Sequence, residues 1–225
     1  ASFASGAEAR VLADRLPDCA GRIRGISNAV DHGYFDPAHA PASPFPPGPP
    51  VFVFTGTMDY PPNVDAVSWF ATDILPRIRR SIPGARFAIV GANPTPAVVA
   101  LGRLEGVTVT GRVPDVRPYL FHATAAVAPM RIARGIQNKV LEAMAMGRPT
   151  IVTSGALEGI DAEPGRDVIL ADDADSFAAA CAGLDATEGL RIGTAARRRV
   201  VTEYNWDARL AAFDGVFRPL LERAA

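Results

Sequence analysis

The sequence predicts an α/β fold in which a doubly wound parallel sheet is covered by helices on both faces. Short apolar segments alternate along the chain with longer segments of helical periodicity. Most of the apolar segments end at a glycine or a proline, and no hairpin turn signals separate them. This alternation is typical of parallel sheets, in which crossover helices connect successive strands.

Six segments are predicted to form the strands of this sheet. The first of them, residues 51–55, is a continuous apolar run, as expected of a buried parallel strand. The six segments are residues 51–55, 86–90, 107–110, 125–128, 149–152 and 168–170. Because the carboxyl ends of parallel strands meet at one edge of the sheet, we expect a ligand crevice along that edge.

Helices are predicted where apolar residues recur at three- and four-residue spacing. These segments are residues 7–16, 63–80, 96–103, 116–122, 138–146, 176–184, 189–204 and 207–223. A further short strand is predicted at residues 22–26.

The best domain boundary lies at residues 41–50, which contain six prolines. Proline lacks an amide donor, so this segment forms neither a helix nor a central strand, and we predict a stiff linker. Residues 1–40 then precede the linker, residues 51–206 form the main domain, and residues 207–225 add a carboxyl-terminal helix.

The composition is that of an ordinary globular protein, with 48% hydrophobic and 21% charged residues and a net charge of −1. This balance gives no indication of a nucleic-acid-binding surface, and no apolar run reaches the roughly 18 residues of a membrane span. Cys19 and Cys181 are predicted to be free thiols in a reducing cytoplasm. Neither the cysteines nor the three histidines have metal-ligand spacing, so no metal site is expected.

The segment richest in chemistry surrounds Lys139, which is the only lysine in the chain. A single lysine among many arginines suggests a site that needs a compact ammonium rather than a flat guanidinium. A glycine turn at Gly135 precedes a helix predicted to begin at Asn138, and the first N–H groups of a helix bind anions. Arg131, Arg134 and Lys139 add three cations, and a diphosphate would match this arrangement. Alternatively, Asn138 caps the helix, and Arg134 and Lys139 are solvated surface charges.

Glu142 lies four residues after Asn138, on the same helix face. A carboxylate beside an anion site is not expected to face phosphates, but it can accept hydrogen bonds from sugar hydroxyls a step farther away. The alternative is an ion pair with Lys139 or an arginine.

Two loops at predicted strand ends are further candidates for ligand contacts. Gly56 and Thr57 follow the first strand, where glycine permits close backbone approach. Arg112 and the backbone of Val113 follow the third strand and could meet a base or a phosphate. Both loops could equally be plain turns, and Asp115 is predicted to cap the next helix rather than to act in catalysis.

Several enzyme classes are poorly supported. The sequence contains no GxSxG, HExxH, Walker A or GxGxxG pattern. These absences argue against a serine hydrolase, a zinc peptidase, a P-loop NTPase and a Rossmann dehydrogenase.

Taken in order, segments of residues 51–206 resemble the carboxyl-terminal, donor-binding half of a GT-B glycosyltransferase of the retaining group 1 type (family 4). The chain is also similar to a subgroup of sugar transferases from exopolysaccharide-type gene clusters. The matching segments are residues 54–58, 62–65, 88–91, 109–115, 127–129, 139–149 and 204–206. The resemblance implies a Rossmann-like domain that binds a nucleotide-diphosphate sugar.

The resemblance also implies roles for individual residues. In the family, a Glu-x7-Glu element spans the donor; its second acid binds the ribose hydroxyls and matches Glu142, whereas its first acid falls at Arg134. The family places an Arg and a Lys in the loop after the first core strand, where this chain has Met58, Asp59 and Asn63. We therefore expect the charge to come from the predicted catalytic residues Arg131, Arg134 and Lys139. The expected donor-binding residues are Gly56, Thr57, Arg112, Val113, Gly135, Ile136, Gln137, Asn138 and Glu142.

Residues 1–40 resemble the end of the amino-terminal acceptor domain, most of which is missing from this chain. We therefore expect this chain to bind the donor without transferring sugar. We expect a cytoplasmic location, and the full-length protein could associate with the inner face of the membrane. The expected mechanism is electrostatic and uses no metal or other cofactor. One alternative is a nucleotide-binding module without catalysis. The other is a GT-B nucleotide-sugar 2-epimerase, which should carry further acidic and histidine residues near the donor.

Overall fold

The computed structural model describes residues 2–3, 6–25, 28–39, 42–133, 135–207 and 209–211. Near the beginning of the chain, the strands β1 (Ser2–Phe3) and β2 (Arg24–Gly25) pair in parallel, and α1 (Gly6–Arg15) lies between them in sequence. The helix predicted at residues 7–16 is present. Of the strand predicted at residues 22–26, Arg24–Gly25 is a strand, Arg22 ends a 3₁₀ turn, Pro17–Arg22, and residue 26 lies outside the described residues.

The main sheet has six parallel strands, which confirms the predicted fold class. They are β3 (Val51–Thr55), β4 (Arg86–Val90), β5 (Val107–Val109), β6 (Ala125–Ala128), β7 (Thr150–Val152) and β8 (Ile169–Leu170). Their order is β5-β4-β3-β6-β7-β8, so the sheet is wound outward in both directions from β3 and β6. This is the Rossmann-like order, in which ligands bind where the winding direction changes.

Both faces of the sheet are covered, which explains why the central strands β3 and β6 are fully buried. All five residues of β3 are buried. Phe52 and Phe54 pack into one apolar cluster, whereas Val51 and Val53 pack into a second cluster on the opposite face.

The helices of the main domain agree with the prediction except in two places and in small shifts at their ends, such as the start of α9 three residues earlier than predicted. They are α2 (Pro61–Trp69), α3 (Leu75–Ser81), α4 (Pro96–Leu101), α5 (Arg117–Phe121), α6 (Asn138–Ala145), α7 (Ser154–Leu157), α8 (Ala174–Gly183) and α9 (Ala186–Glu203). The helix predicted over residues 63–80 is present without a break in helical backbone, but a π-helical turn, Phe70–Ile74, divides it into α2 and α3. Pro76 has no N–H for the regular ladder, which accounts for widening of the helix just before it.

The second difference is α7, which is too short to give a periodic signal and starts at the cap residue Thr153. The carboxyl-terminal helix predicted at residues 207–223 is described only in part. Asp207 and residues 209–211 are helical, and the remaining positions lie outside the described residues.

The proline-rich segment packs against the main domain within its described part, residues 42–50. The Arg86 guanidinium donates hydrogen bonds to the carbonyl oxygens of Pro46, at 3.2 Å, and Pro49, at 2.8 Å. Phe45 makes an edge contact with Tyr119. The segment is therefore attached along the domain surface, while its role as a domain boundary stays a prediction.

The segment 28–39 also contacts the main domain, mainly through residues at the carboxyl-terminal end of that domain. The Val30 N–H donates to the Tyr204 carbonyl at 2.8 Å. Arg197 of α9 forms an ion pair with Asp36 and donates to the carbonyl oxygens of Phe35 and Ala145. Cys19 and Cys181 are both free, as predicted. Within the described ranges, the helices are too short or too polar to cross a membrane.

Candidate functional site

A cavity of about 500 Å³ lies at the carboxyl edge of the sheet, as the fold class predicts. Its walls come from the loops after β3, β4 and β5 and from the first turns of α6. The lining residues are Thr55, Gly56, Thr57, Asn63, Val90, Gly91, Ala92, Arg112, Val113, Val116, Asn138, Lys139 and Glu142. The cavity therefore lies beside the topological switch point between β3 and β6.

Close contacts between strand ends form one wall of this cavity. The Gly56 N–H donates to the Val90 carbonyl at 3.1 Å, and the Gly91 N–H donates to the Gly111 carbonyl at 3.2 Å. A Cβ at Gly91 would lie 1.7 Å from the Gly56 carbonyl oxygen, and Gly91 has a positive φ of 150°. Only glycine fits there, because any side chain would separate the two loops.

Lys139 reaches from α6 to the loop after β3. Its Nζ donates to Asn63 Oδ1 at 3.0 Å and to Gln137 Oε1 at 3.2 Å. The same nitrogen lies 5.1 Å from the centre of the Phe54 ring. The alternative in which Lys139 is a solvated surface charge was therefore wrong.

Lys139 and Glu142 form the charged centre of the cavity. Burial lowers the pKa of Lys139 from 10.5 to about 8, while the nearby Glu142 carboxylate opposes that shift. Burial raises the pKa of Glu142 above its ordinary value, and Lys139 opposes that shift. Each charge thus stabilises the other in a poorly solvated place, where an anion or a hydroxyl pair from a ligand would add further partners.

The start of α6 differs in detail from the prediction. Gln137 occupies the N-cap position without a capping side-chain bond, and Asn138 is the first helical residue. The alternative in which Asn138 caps the helix was therefore wrong. Asn138 Oδ1 instead accepts a hydrogen bond from Asn28 Nδ2 at 3.1 Å. The Val140 N–H donates to the Gln137 carbonyl at 2.9 Å, so the N–H groups that remain by position for an anion at the start of α6 are those of Asn138 and Lys139.

The turn before α6 shapes the site without lining the cavity. Gly135 has a positive φ of 66°, as expected of a turn glycine. Ile136 packs against the apolar core, and the buried Gln137 donates from Nε2 to the Gly135 carbonyl at 3.3 Å. Direct contact of these three residues with a donor stays a prediction.

The other two predicted cations are placed differently from Lys139. Arg131 forms a two-point ion pair with Asp65, with Nε 3.0 Å from Oδ2, and lies over the Trp69 ring. It does not line the cavity. Arg134 lies outside the described residues. The predicted catalytic roles of both arginines stay predictions.

The loop after β5 contributes Arg112 and Val113 to the cavity, as expected. Asp115 accepts a hydrogen bond from the Arg117 N–H at 2.8 Å and a bidentate contact from the Arg117 guanidinium. The N-cap of α5 is Val116, one residue later than predicted, although Asp115 does satisfy the first helical N–H.

Two residues of the site escaped sequence reasoning. Asn63 was noted only as a residue standing where relatives carry a cation, yet it is buried at 4% exposure and contacts Lys139. Gly91 was read as a strand end, and its contact with Gly56 was not anticipated. Among the described residues, no group of three or more acidic, histidine or cysteine side chains is placed to hold a metal ion.

The fold and the cavity define a Rossmann-like α/β domain with its ligand site at the carboxyl edge of the sheet. Residues 49–186 match the family model of glycosyl transferases group 1. Because the match spans more than half of the 225 residues, the chain belongs to the glycosyl transferase group 1 family. A comparison with curated protein sequences finds no match.

Solved structures of similar fold support the family match. A glycosyltransferase from Rickettsia africae ESF-5 has a TM-score of 0.80 at 16% identity, over 98% of this chain and 63% of that one. Sucrose-phosphate synthase from Thermosynechococcus elongatus has a TM-score of 0.76 at 20% identity, over 99% of this chain and 58% of that one. Anabaena Alr3699/HepE in complex with UDP-glucose has a TM-score of 0.70 at 12% identity, over 98% of this chain and 63% of that one. The chain thus spans less than two thirds of these structures.

Proposed function

We propose that this chain is the donor-binding part of a glycosyltransferase that transfers a sugar from a nucleotide-diphosphate sugar to an acceptor, with retention at the anomeric carbon. One observation carries the proposal. Lys139 and Glu142 lie one helical turn apart on α6 and line the same cavity, in a member of the group 1 family. The proposal includes retention at the anomeric carbon, a cytoplasmic location, and a role in the synthesis of exopolysaccharide or another glycoconjugate.

The geometry suggests which part of the donor each of these residues contacts. The diphosphate contacts the Lys139 ammonium and the free N–H groups at the start of α6, since both attract anions. Glu142, one turn farther along the helix, accepts hydrogen bonds from the ribose hydroxyls. The backbone of Gly56 and Thr57 borders the diphosphate, and Arg112 and Val113 border the base.

In the proposed mechanism, the protein stabilises the charge that develops on the departing nucleotide diphosphate. A preorganised ammonium and helix-start amides suit this task, because they require no reorganisation during the reaction. We propose that no metal ion is needed. The acceptor hydroxyl and the group that assists it come from an acceptor domain, of which this chain holds only the end.

Ligands bound to similar structures support a nucleotide-sugar donor. Anabaena Alr3699/HepE has been solved with UDP, with UDP and glucose, and with UDP-glucose. A further similar structure is the trehalose 6-phosphate synthase of Burkholderia multivorans.

Calorimetric titration with UDP, GDP and ADP tests the proposal. We expect one nucleotide to bind, and Glu142→Ala to weaken its binding by about tenfold or more, because a charge-assisted hydrogen bond is lost. The matched control is Glu188→Ala, which removes a carboxylate from the exposed surface of α9, where it pairs with Arg191. Binding of none of the three nucleotides, or an equal effect of both variants, would contradict the proposal.

A further inference from the structure

Lys139 is held by two amide side chains that come from different parts of the chain. Asn63 belongs to α2, and Gln137 precedes α6. An ammonium has three N–H donors and no acceptor. Asn63 Oδ1 and Gln137 Oε1 accept two of them, which leaves one for a ligand in the cavity that Lys139 lines.

The orientation of the Asn63 amide is fixed from both ends. Its Nδ2 donates to the Thr57 carbonyl at 2.9 Å, so its oxygen must face the Lys139 ammonium. A Cβ at position 56 would lie 2.7 Å from Nδ2, so Gly56 provides the space for this amide. Asn63 therefore couples the loop after β3 to the charged residue of α6.

Both acceptors are uncharged, so the Lys139 ammonium keeps its charge for a ligand. A carboxylate at either place would cancel the charge of Lys139, whereas an amide oxygen orients the ammonium and leaves its charge for a ligand. The charged groups facing the same cavity are Glu142, on the helix of Lys139, and Arg112, from the loop after β5. The contacts from β3 and α2 are the Phe54 ring and the Asn63 amide, which are uncharged.

We infer that Asn63, together with Gln137, is a positioning residue for the donor diphosphate: the two amides orient the Lys139 ammonium toward the cavity without neutralising it. This inference rests on the proposed function and assigns Asn63 a role in it. It also explains how the site works without the Arg and Lys that relatives are expected to carry in the loop after the first core strand. The cation is supplied from α6, and the loop supplies its amide support.

The single lysine of the chain permits a direct test without any nucleotide. In protein labelled with ¹³C at the lysine ε carbon, one NMR signal reports the titration of Lys139, with an expected wild-type pKa of about 8. We expect Asn63→Asp and Gln137→Glu to raise this pKa by about one unit or more, since each places a carboxylate beside the ammonium. Asn63→Ala should lower it, because an acceptor for the charged form is lost.

Asn205→Asp is the matched control, since Asn205 lies after α9 and bonds to the carbonyl oxygens of Val201 and Thr202. It should leave the titration unchanged. Gln137→Glu keeps the test decisive if Asn63→Asp disturbs the loop. An unchanged titration in both Asn63→Asp and Gln137→Glu would overturn the inference.

Nucleotide affinity provides the second measurement. With UDP, GDP and ADP titrated in parallel at pH 7, Asn63→Asp and Gln137→Glu should weaken diphosphate binding by about tenfold, because the charge that the phosphates meet is cancelled. Binding of the matching nucleoside should stay unchanged. Wild-type protein that binds no nucleotide would refute the proposed function, while the lysine titration would still decide whether the amides hold Lys139. Equal diphosphate affinity of the wild type and both variants would overturn the inference.

Discussion

The ammonium of Lys139 is held in a partly buried position, where burial lowers its pKa from 10.5 to about 8. The unfolded chain therefore binds more protons than the folded chain between these two pH values. Charging this group in the folded state costs roughly 3 kcal/mol of stability below pH 8, and the cost is relieved as the pH rises from about 8 towards 10.5. A cost of this kind is expected at a residue kept for binding rather than for stability.

The variant Lys139→Met separates binding from stability. It should weaken nucleotide binding by about tenfold or more, yet change the free energy of unfolding at pH 7 by no more than about 1 kcal/mol, because the relieved burial of charge offsets the loss of two hydrogen bonds and of the charge that Lys139 presents to Glu142. Urea unfolding and calorimetric titration measure the two effects. Arg198→Met, which removes an exposed cation from α9, is the control and should affect neither. A loss of several kcal/mol in Lys139→Met would mean that the lysine is structural.

Residue chemistry in the sequence identified Lys139 but not its partners. The lysine was singled out because every other basic side chain is arginine apart from the histidines. Arg131 was an equal candidate from the sequence. The fold distinguishes it from Lys139, because Asp65, 66 positions away in sequence, pairs with Arg131. Asn63 lies 76 positions from Lys139, and no local pattern predicts a contact over that distance.

At the scale of elements, the site depends on the close approach of the loops after β3 and β4. Gly91→Ala should destabilise the protein by about 3 kcal/mol or more and reduce nucleotide binding, because the added Cβ would overlap the Gly56 carbonyl. Gly183→Ala is the control: its Cβ would meet nothing within 4 Å at the end of α8, and we expect no loss or a gain of up to about 1 kcal/mol. Equal unfolding midpoints in urea for the two variants would refute this account of the loop contact.

A second element-scale contact joins the segment before β8 to α9. Asp167 is 1% exposed and accepts hydrogen bonds from the Glu163 N–H at 3.0 Å, from Arg166 at 3.0 Å and from Arg199 at 3.1 Å. Burial alone would raise the pKa of Asp167, but these hydrogen bonds and charges lower it below 3.8. Its contribution to stability is therefore complete above pH 3.8 and is lost as the pH falls through the lowered pKa.

Asp167→Asn should cost about 2–3 kcal/mol at pH 7, because two arginines lose a buried charged partner. The cost should shrink as the wild-type carboxylate becomes protonated in acid. Asp175→Asn removes a carboxylate that is 87% exposed and paired with Arg77, and should change stability by no more than about 0.5 kcal/mol. Denaturant unfolding of both variants at pH 7 and in acid tests this, and a cost for Asp167→Asn that does not depend on pH would count against the charged contact.

The boundaries of a strand could be predicted where both of its faces are buried, because such a strand is a continuous apolar run in the sequence. The predicted strands at residues 51–55, 86–90 and 125–128 match β3, β4 and β6. The π-helical turn at Phe70–Ile74 could not be predicted from periodicity, because its buried residues Phe70, Ala71 and Ile74 have a spacing that a regular helix also gives, and only the position of Pro76 hints at it. The four residues of α7 are too few to show a period.

At the scale of the whole molecule, the arrangement of strands is what turns separate loops into one site. Lys139 and Gly56 are distant in sequence, yet they meet because β3 and β6 are adjacent and α6 follows β6. Periodicity predicts the strands and the doubly wound class of the sheet, which the six-stranded sheet confirms, but the order of the strands is visible only in the folded protein. The arrangement also places Asn28, from the segment before the proline-rich residues, on Asn138 at the start of α6.

The whole-molecule prediction concerns donor binding without transfer. The chain spans 63% and 58% of two similar solved structures, and we propose that the acceptor hydroxyl and its assisting group belong to an acceptor domain. The nucleotide that binds should raise the free energy of unfolding by about 2.7 kcal/mol at a hundredfold excess over its Kd, which appears as a higher Tm. The same chain, incubated with the corresponding nucleotide sugar, should release no free sugar. Hydrolysis of the donor by this chain, abolished in Lys139→Met, would contradict the prediction and would mean that the groups needed to cleave the sugar–phosphate bond all lie in the donor-binding part.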